Sequence, residues 1–117
     1  MGRLTTHVLD TAHGTPAAGM TVTLYRRVGE RFESLRSATT NADGRIAAPL
    51  LEGEALTPGR YRLTFGAGAY FRAHGVALPE PPFIGEVVID FGVADASAHY
   101  HVPLLVSPWS YSTYRGS

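Results

Sequence analysis

The sequence predicts an all-β fold: a two-sheet antiparallel β-sandwich of about eight strands, Greek-key connected, with one short helix. Three observations predict it. Apolar and polar residues alternate in segment after segment, which puts every second side chain on one face of a pleated strand. Chain breakers recur at short intervals, with 13 Gly and 8 Pro spread through 117 residues, a density suited to tight turns between short strands. Only residues 67–74 suit a helix, a short one stopped at Gly75. A chain of this length makes one domain, 1–117.

Each element follows from its residues. Residues 4–10 (LTTHVLD) form the first strand, and the segment 11–19 (TAHGTPAAG) turns the chain. Residues 20–27 place Met20, Val22 and Leu24 on one face, and Thr21, Thr23 and Tyr25 on the other. A third strand at 31–39 leads into Asn41-Ala-Asp-Gly44, a tight turn whose glycine takes φ > 0. A short strand at 45–50 and an alternating one at 59–65 (GRYRLTF) precede the helix. The Pro79-Glu80-Pro81-Pro82 run forbids regular structure, and strands at 85–91, 98–106 and 109–115 complete the chain.

Composition excludes several classes of function. Ten acidic and ten basic residues give a net charge of zero, against the basic surface that nucleic-acid and anionic-membrane partners select for. All ten basic residues are arginine and there is no cysteine. Schiff-base lysines, thiolate metal sites, disulfides and cysteine nucleophiles are therefore ruled out. No apolar run approaches the roughly 20 residues of a membrane helix, and MGRLTTHVLD lacks the apolar region of a signal peptide. A soluble, cytoplasmic protein is expected.

The second faces of three strands carry the functional information. In 98–106, Tyr100, Val102, Leu104 and Val106 make a core stripe, while His99, His101, Pro103 and Leu105 share the other side. In 4–10, Leu4, Thr6 and Val8 oppose Thr5, His7 and Leu9; the last strand offers Ser110, Ser112, Tyr114 and Gly116 on one face. Mixed small, apolar and titratable faces suit a sheet covered by another subunit, with a polar cleft between them. An ordinary exterior face with scattered leucines gives the same pattern, so the faces alone name no function.

Separated motifs at both ends of the chain do more. The run Leu4-Thr-Thr-His-Val-Leu-Asp10 with Gly14-Thr-Pro-Ala17 resembles the opening strand and turn of the transthyretin family, and residues 99–117 resemble its last two strands. Asn41-Ala-Asp-Gly-Arg45 and Gly59-Arg-Tyr61 extend the likeness over essentially the whole chain, and Tyr114-Arg115-Gly116-Ser117 matches the ending of the family's enzymatic branch. The resemblance implies a homotetramer with active sites at the dimer–dimer interface, and needs no cofactor or metal. It implies hydrolysis of 5-hydroxyisourate to 2-oxo-4-hydroxy-4-carboxy-5-ureidoimidazoline, in urate degradation towards allantoin. Carried over by motif, the functional residues are His7, Arg45, His101, Tyr114, Arg115, Gly116 and Ser117.

The implied chemistry fits these residue types. Water must attack a ring carbonyl and a C–N bond must open, which calls for a base, for donors to the developing oxyanion and for groups that grip a planar heterocycle. Imidazole, with an unperturbed pKa near 6.5, suits the first task. Between them, His7 and His101 activate water and orient it or return a proton to the leaving nitrogen; sequence leaves the division open. Arg45 presents a planar fork of donors as substrate clamp and oxyanion stabiliser. Tyr114 meets the ring, and Arg115, Gly116 and Ser117 shape the pocket floor. Nothing marks a relay that would make Ser117 a covalent nucleophile.

Bland readings apply to the other histidines: His13 sits in a turn, His74 at the helix C-terminus, and His99 behind His101. His7, His99 and His101 also match a three-histidine zinc set in number. The rival function is a non-enzymatic carrier that binds a small aromatic ligand in the intersubunit channel; the polarity of the residues above favours a small oxidised purine over a large apolar ligand.

Overall fold

A computed structural model describes residues 1–116. The strands are β1 (Arg3–Asp10), β2 (Thr15–Pro16), β3 (Thr21–Val28), β4 (Arg31–Thr39), β5 (Leu51–Glu52), β6 (Gly59–Phe65), β7 (Val87–Val93), β8 (His99–Val106) and β9 (Tyr111–Thr113). Among the described residues, one helix, α1 (Ala67–Ala73), and a single 3-10 turn (Gly53–Ala55) complete the regular structure. One sheet has the order β2-β1-β8-β9, with β5 also paired to β1; the other has the order β4-β3-β6-β7. The expected sandwich with one short helix is what forms. Its ladders are antiparallel with one exception: β1 and β8 run parallel.

The alternation read from the sequence is the burial pattern of the fold. Leu4, Val8, Val22, Leu24, Tyr61, Leu63, Phe65, Val87, Leu104 and Val106 fill the space between the sheets, and Tyr70 and Phe71 of α1 close one end. Apolar area removed from water supplies the main favourable term. Thr6 lies on the buried face of β1, and its hydroxyl is satisfied by donating to the Val102 carbonyl at 2.7 Å.

Element boundaries moved where local contacts outweigh pattern. The expected strand at 45–50 is open chain: Arg45 bridges to His7, the Leu50 N–H donates to the Leu4 carbonyl at 2.8 Å, and ladder pairing resumes at β5. The strand expected at 85–91 begins instead at Val87, because the Gly85 carbonyl accepts from Gly68 at the start of α1. The final strand is three residues long, since Ser107 and Ser110 close a turn upstream of it that leaves Trp109 exposed.

A polar clamp fastens the end of β1 to α1. The carboxylate of Asp10 is 1 % exposed. It accepts from the His13 backbone N–H at 3.0 Å, from His13 Nδ1 at 2.6 Å and from the Tyr70 hydroxyl at 2.8 Å. Burial alone would raise its pKa, but the hydrogen bonds from His13 and Tyr70 and the nearby His13 charge outweigh it and hold the carboxyl below its usual 3.8. A depressed carboxyl pKa stabilises the fold at pH values above the unfolded range, and that contribution is lost as pH falls through the folded value. Asp10→Ala is expected to cost about 2–4 kcal/mol, because three donors lose one acceptor. Chemical denaturation at pH 7 and pH 3 checks this, the gap between variant and parent narrowing at the lower pH.

Candidate active site

The site stands on the outward face of the first sheet, where the parallel register of β1 and β8 sets three pairs side by side: Arg3 with His99, Thr5 with His101 and His7 with Pro103. Adjacent strands lie about 4.8 Å apart and same-face neighbours about 7 Å along each strand, so these side chains form a compact grid.

The 41–45 turn docks on one end of the grid. Asn41 organises it: its side-chain oxygen accepts from the Asp43 and Arg45 backbone N–H groups at 2.9 and 3.1 Å. Its own backbone pairs with Arg45 and Gly44. The turn then lies against β1 through Val8 N–H to Gly44 carbonyl at 2.8 Å and a bridge between His7 and Arg45. Gly44 has φ +75°, and a Cβ there would sit 2.3 Å from the Val8 carbonyl oxygen, so only glycine permits this approach. The docked turn brings the Asp43 carbonyl to 2.8 Å from His7 Nε2. A carbonyl only accepts, so Nε2 carries the hydrogen, and in neutral His7 the lone pair is on Nδ1.

His101 occupies the middle of the grid. Its Nδ1 lies 2.8 Å from the Thr5 hydroxyl, which serves as donor or acceptor and so fits either tautomer. Its backbone pairs in both directions with Gly116. A Cβ on Gly116 would come within 3.0 Å of the His101 Cβ and Cδ2, so glycine lets the tail lie flat against the imidazole. Burial, then the positive charge of Arg45 and the neighbouring His7, lower the pKa of His101 from its usual 6.5. The imidazole is therefore neutral at pH 7. If it acts as base, the acid limb of kcat/KM falls below pH 6.5 and moves up towards that value in Arg45→Gln; a pH–rate series on both proteins checks the shift.

Arg3, Thr5, Arg45, Ile46, His99 and His101 border a pocket of about 320 Å³. The structure thus brings Arg45 and His101 together and sets His7 beside them, hydrogen-bonded to the turn that carries Arg45. Among the described residues no group of three or more His, Asp or Glu is arranged to hold a metal ion.

The C-terminal residues divide. Tyr114 is 61 % exposed; the register joining β9 to Gly116 sets it across from Pro103, yet it borders a second groove, with Phe91 and Tyr100, and not the His101 pocket. Arg115 does not border the His101 pocket within the chain. Its guanidinium lies 4.3 Å over the Tyr100 ring and donates to the His99 carbonyl at 3.1 Å. Tyr100 belongs to the core face of β8, so alternation along the tail turns Arg115 away from the face of His101. Ser117 lies outside the described residues. His13 is engaged by Asp10 and His74 by the Tyr70 carbonyl, both away from the pocket. Arg3, Thr5 and Ile46 were given no role by sequence; for Arg3 and Thr5 the signal was available, since the alternation that singles out His7 puts them on the same face.

Fold and site together define a transthyretin-like sandwich with an imidazole–guanidinium pocket on its outward sheet. The chain belongs to the HIUase/Transthyretin family, whose model matches residues 4–116. It is 62 % identical over 117 residues to the 5-hydroxyisourate hydrolase of Ralstonia nicotianae, covering all of both chains. Among solved structures it resembles the Klebsiella pneumoniae 5-hydroxyisourate hydrolase, with a TM-score of 0.83, 42 % identity and full coverage of both chains. It also resembles sea bream transthyretin in complex with thyroxine, with a TM-score of 0.87, 27 % identity and coverage of 97 % of this chain and 94 % of that one.

Proposed function

We propose that this chain is a 5-hydroxyisourate hydrolase, converting its substrate to 2-oxo-4-hydroxy-4-carboxy-5-ureidoimidazoline in the cytoplasm. The observation that carries the reading is the placement of a Thr5-bonded His101 in one pocket with Arg45. His101 takes a proton from water as the oxygen adds to the ring carbonyl, and Arg45 holds the oxygen that becomes negative. His7, fixed through Nε2–H to the Asp43 carbonyl, orients the water or returns the proton to the departing nitrogen. Gly116, paired with His101, completes the floor. Four copies assemble with the pockets facing the channel between dimers, where exposed Tyr114 meets the ring.

The names of the relatives support the substrate; the thyroxine complex of a more distant neighbour represents the carrier alternative. The deciding experiment generates 5-hydroxyisourate in place with urate oxidase and follows its ultraviolet absorbance with and without the protein. Accelerated decay at substoichiometric protein is expected. An unchanged decay rate in the presence of folded protein overturns the hydrolase reading and hands the pocket to a carrier.

A further inference from the structure

The pocket has a second cationic end that the chemistry above does not use. Arg3 and His99 are direct neighbours in the β1–β8 register, one same-face step from Thr5 and His101, and both border the pocket. Arg45 enters from the other side, bridged to His7. The order along the grid is therefore Arg45 with His7, then His101, then Arg3 with His99. Among the described residues no carboxylate lies within ion-pair distance of Arg3, although Glu52 stands across from it on β5. One arginine suffices for an oxyanion. A second, on the far side of the base, needs another purpose.

The proposed reaction supplies one. Water oxygen bonds to the ring carbonyl carbon, the C–N bond breaks with its electron pair going to nitrogen, and that nitrogen takes a proton. The new carboxyl group then ionises, so the product bears a carboxylate where the substrate had a neutral carbonyl. We infer that Arg3, assisted by His99, is a carboxylate subsite that positions the group formed in the reaction and sets a preference for planar heterocycles bearing an anionic substituent. Arg3 presents a fork of donors matched to two carboxylate oxygens. Arg3 stands at the exposed start of β1, on the same pocket as His101.

This inference rests on the hydrolase reading, and its test separates the two. Orotate and uracil serve as probes, one planar ring with and without a carboxylate, measured as competitive inhibitors of 5-hydroxyisourate decay and by calorimetric titration. The parent is expected to bind orotate more tightly than uracil, and Arg3→Gln to weaken orotate about tenfold while leaving uracil unchanged. Arg3→Lys should recover part of the loss, since it restores charge without the fork. If the parent catalyses decay but Arg3→Gln leaves the orotate-to-uracil ratio unaltered, the subsite is wrong and the hydrolase stands. Equal weakening of both probes also overturns it, because that marks a general disturbance of the pocket. If the parent fails to accelerate decay, the hydrolase reading itself falls, while calorimetry still tests whether Arg3 selects carboxylates.

Discussion

His101→Asn is expected to lower kcat by at least about a hundredfold, the usual scale of general-base catalysis, with little change in thermal stability. Asparagine keeps a side chain that can hydrogen-bond Thr5, but it offers no base. Because His101 is half-buried on the outward face, its replacement disturbs no core packing, and the stability change should stay within about 0.5 kcal/mol. Steady-state kinetics and thermal unfolding on the same preparation make the comparison. A variant that keeps most of its activity with the fold intact moves the base to His7, whose Nδ1 lone pair is left free by the Asp43 hydrogen bond.

Gly44→Ala is expected to damage stability and activity together. A side chain at φ +75° is strained by roughly 1–2 kcal/mol, and the Cβ cannot sit 2.3 Å from the Val8 carbonyl. The turn must lift from β1, breaking the Val8–Gly44 hydrogen bond and the His7–Arg45 bridge. We expect a total loss of about 2–4 kcal/mol. A fall of about a hundredfold in kcat/KM should accompany it, as misplacing a positioning group by an ångström does. Gly29→Ala is the control, since Gly29 has φ +64° with nothing within 4 Å of its Cβ. It carries the conformational strain alone, so it should lose stability and keep activity. Equal behaviour of the two variants would show that docking of the 41–45 turn does not position Arg45.

The two experiments probe parts of the site that differ in how far sequence reveals them. His101 and His7 are legible because strand alternation is local: once Leu4, Val8, Val102 and Leu104 are assigned to the core, the intervening histidines must face outward. The Asn41–Arg45 turn is legible as a turn, since Asn, Asp and Gly carry their own backbone preferences. Its destination is not. Docking on β1 depends on the Val8 carbonyl and a missing Cβ, a contact between residues 36 positions apart that leaves no periodic mark.

The C-terminal tail shows the same division. Sequence alternation put Tyr114 and Gly116 on one face, and the register carried through to the His101–Gly116 bridge keeps that relation. Arg115 belongs to the other face, over Tyr100, a placement that alternation along the tail requires and the motif by itself does not state. The short strand expected at 45–50 is open chain between two anchors on β1, the Arg45–His7 bridge and the Leu50 N–H donated to the Leu4 carbonyl.

What the sequence by itself determined is the fold class, the core faces and the family, because these rest on periodicity, turn chemistry and motif identity, each a property of a few neighbouring residues. Only the tertiary structure decided that β1 and β8 run parallel in a register that sets Thr5 beside His101 and Arg3 beside His99. Strand direction and register come from packing the whole sandwich, in which residues nearly 100 positions apart become neighbours, and no local pattern encodes which of them will meet.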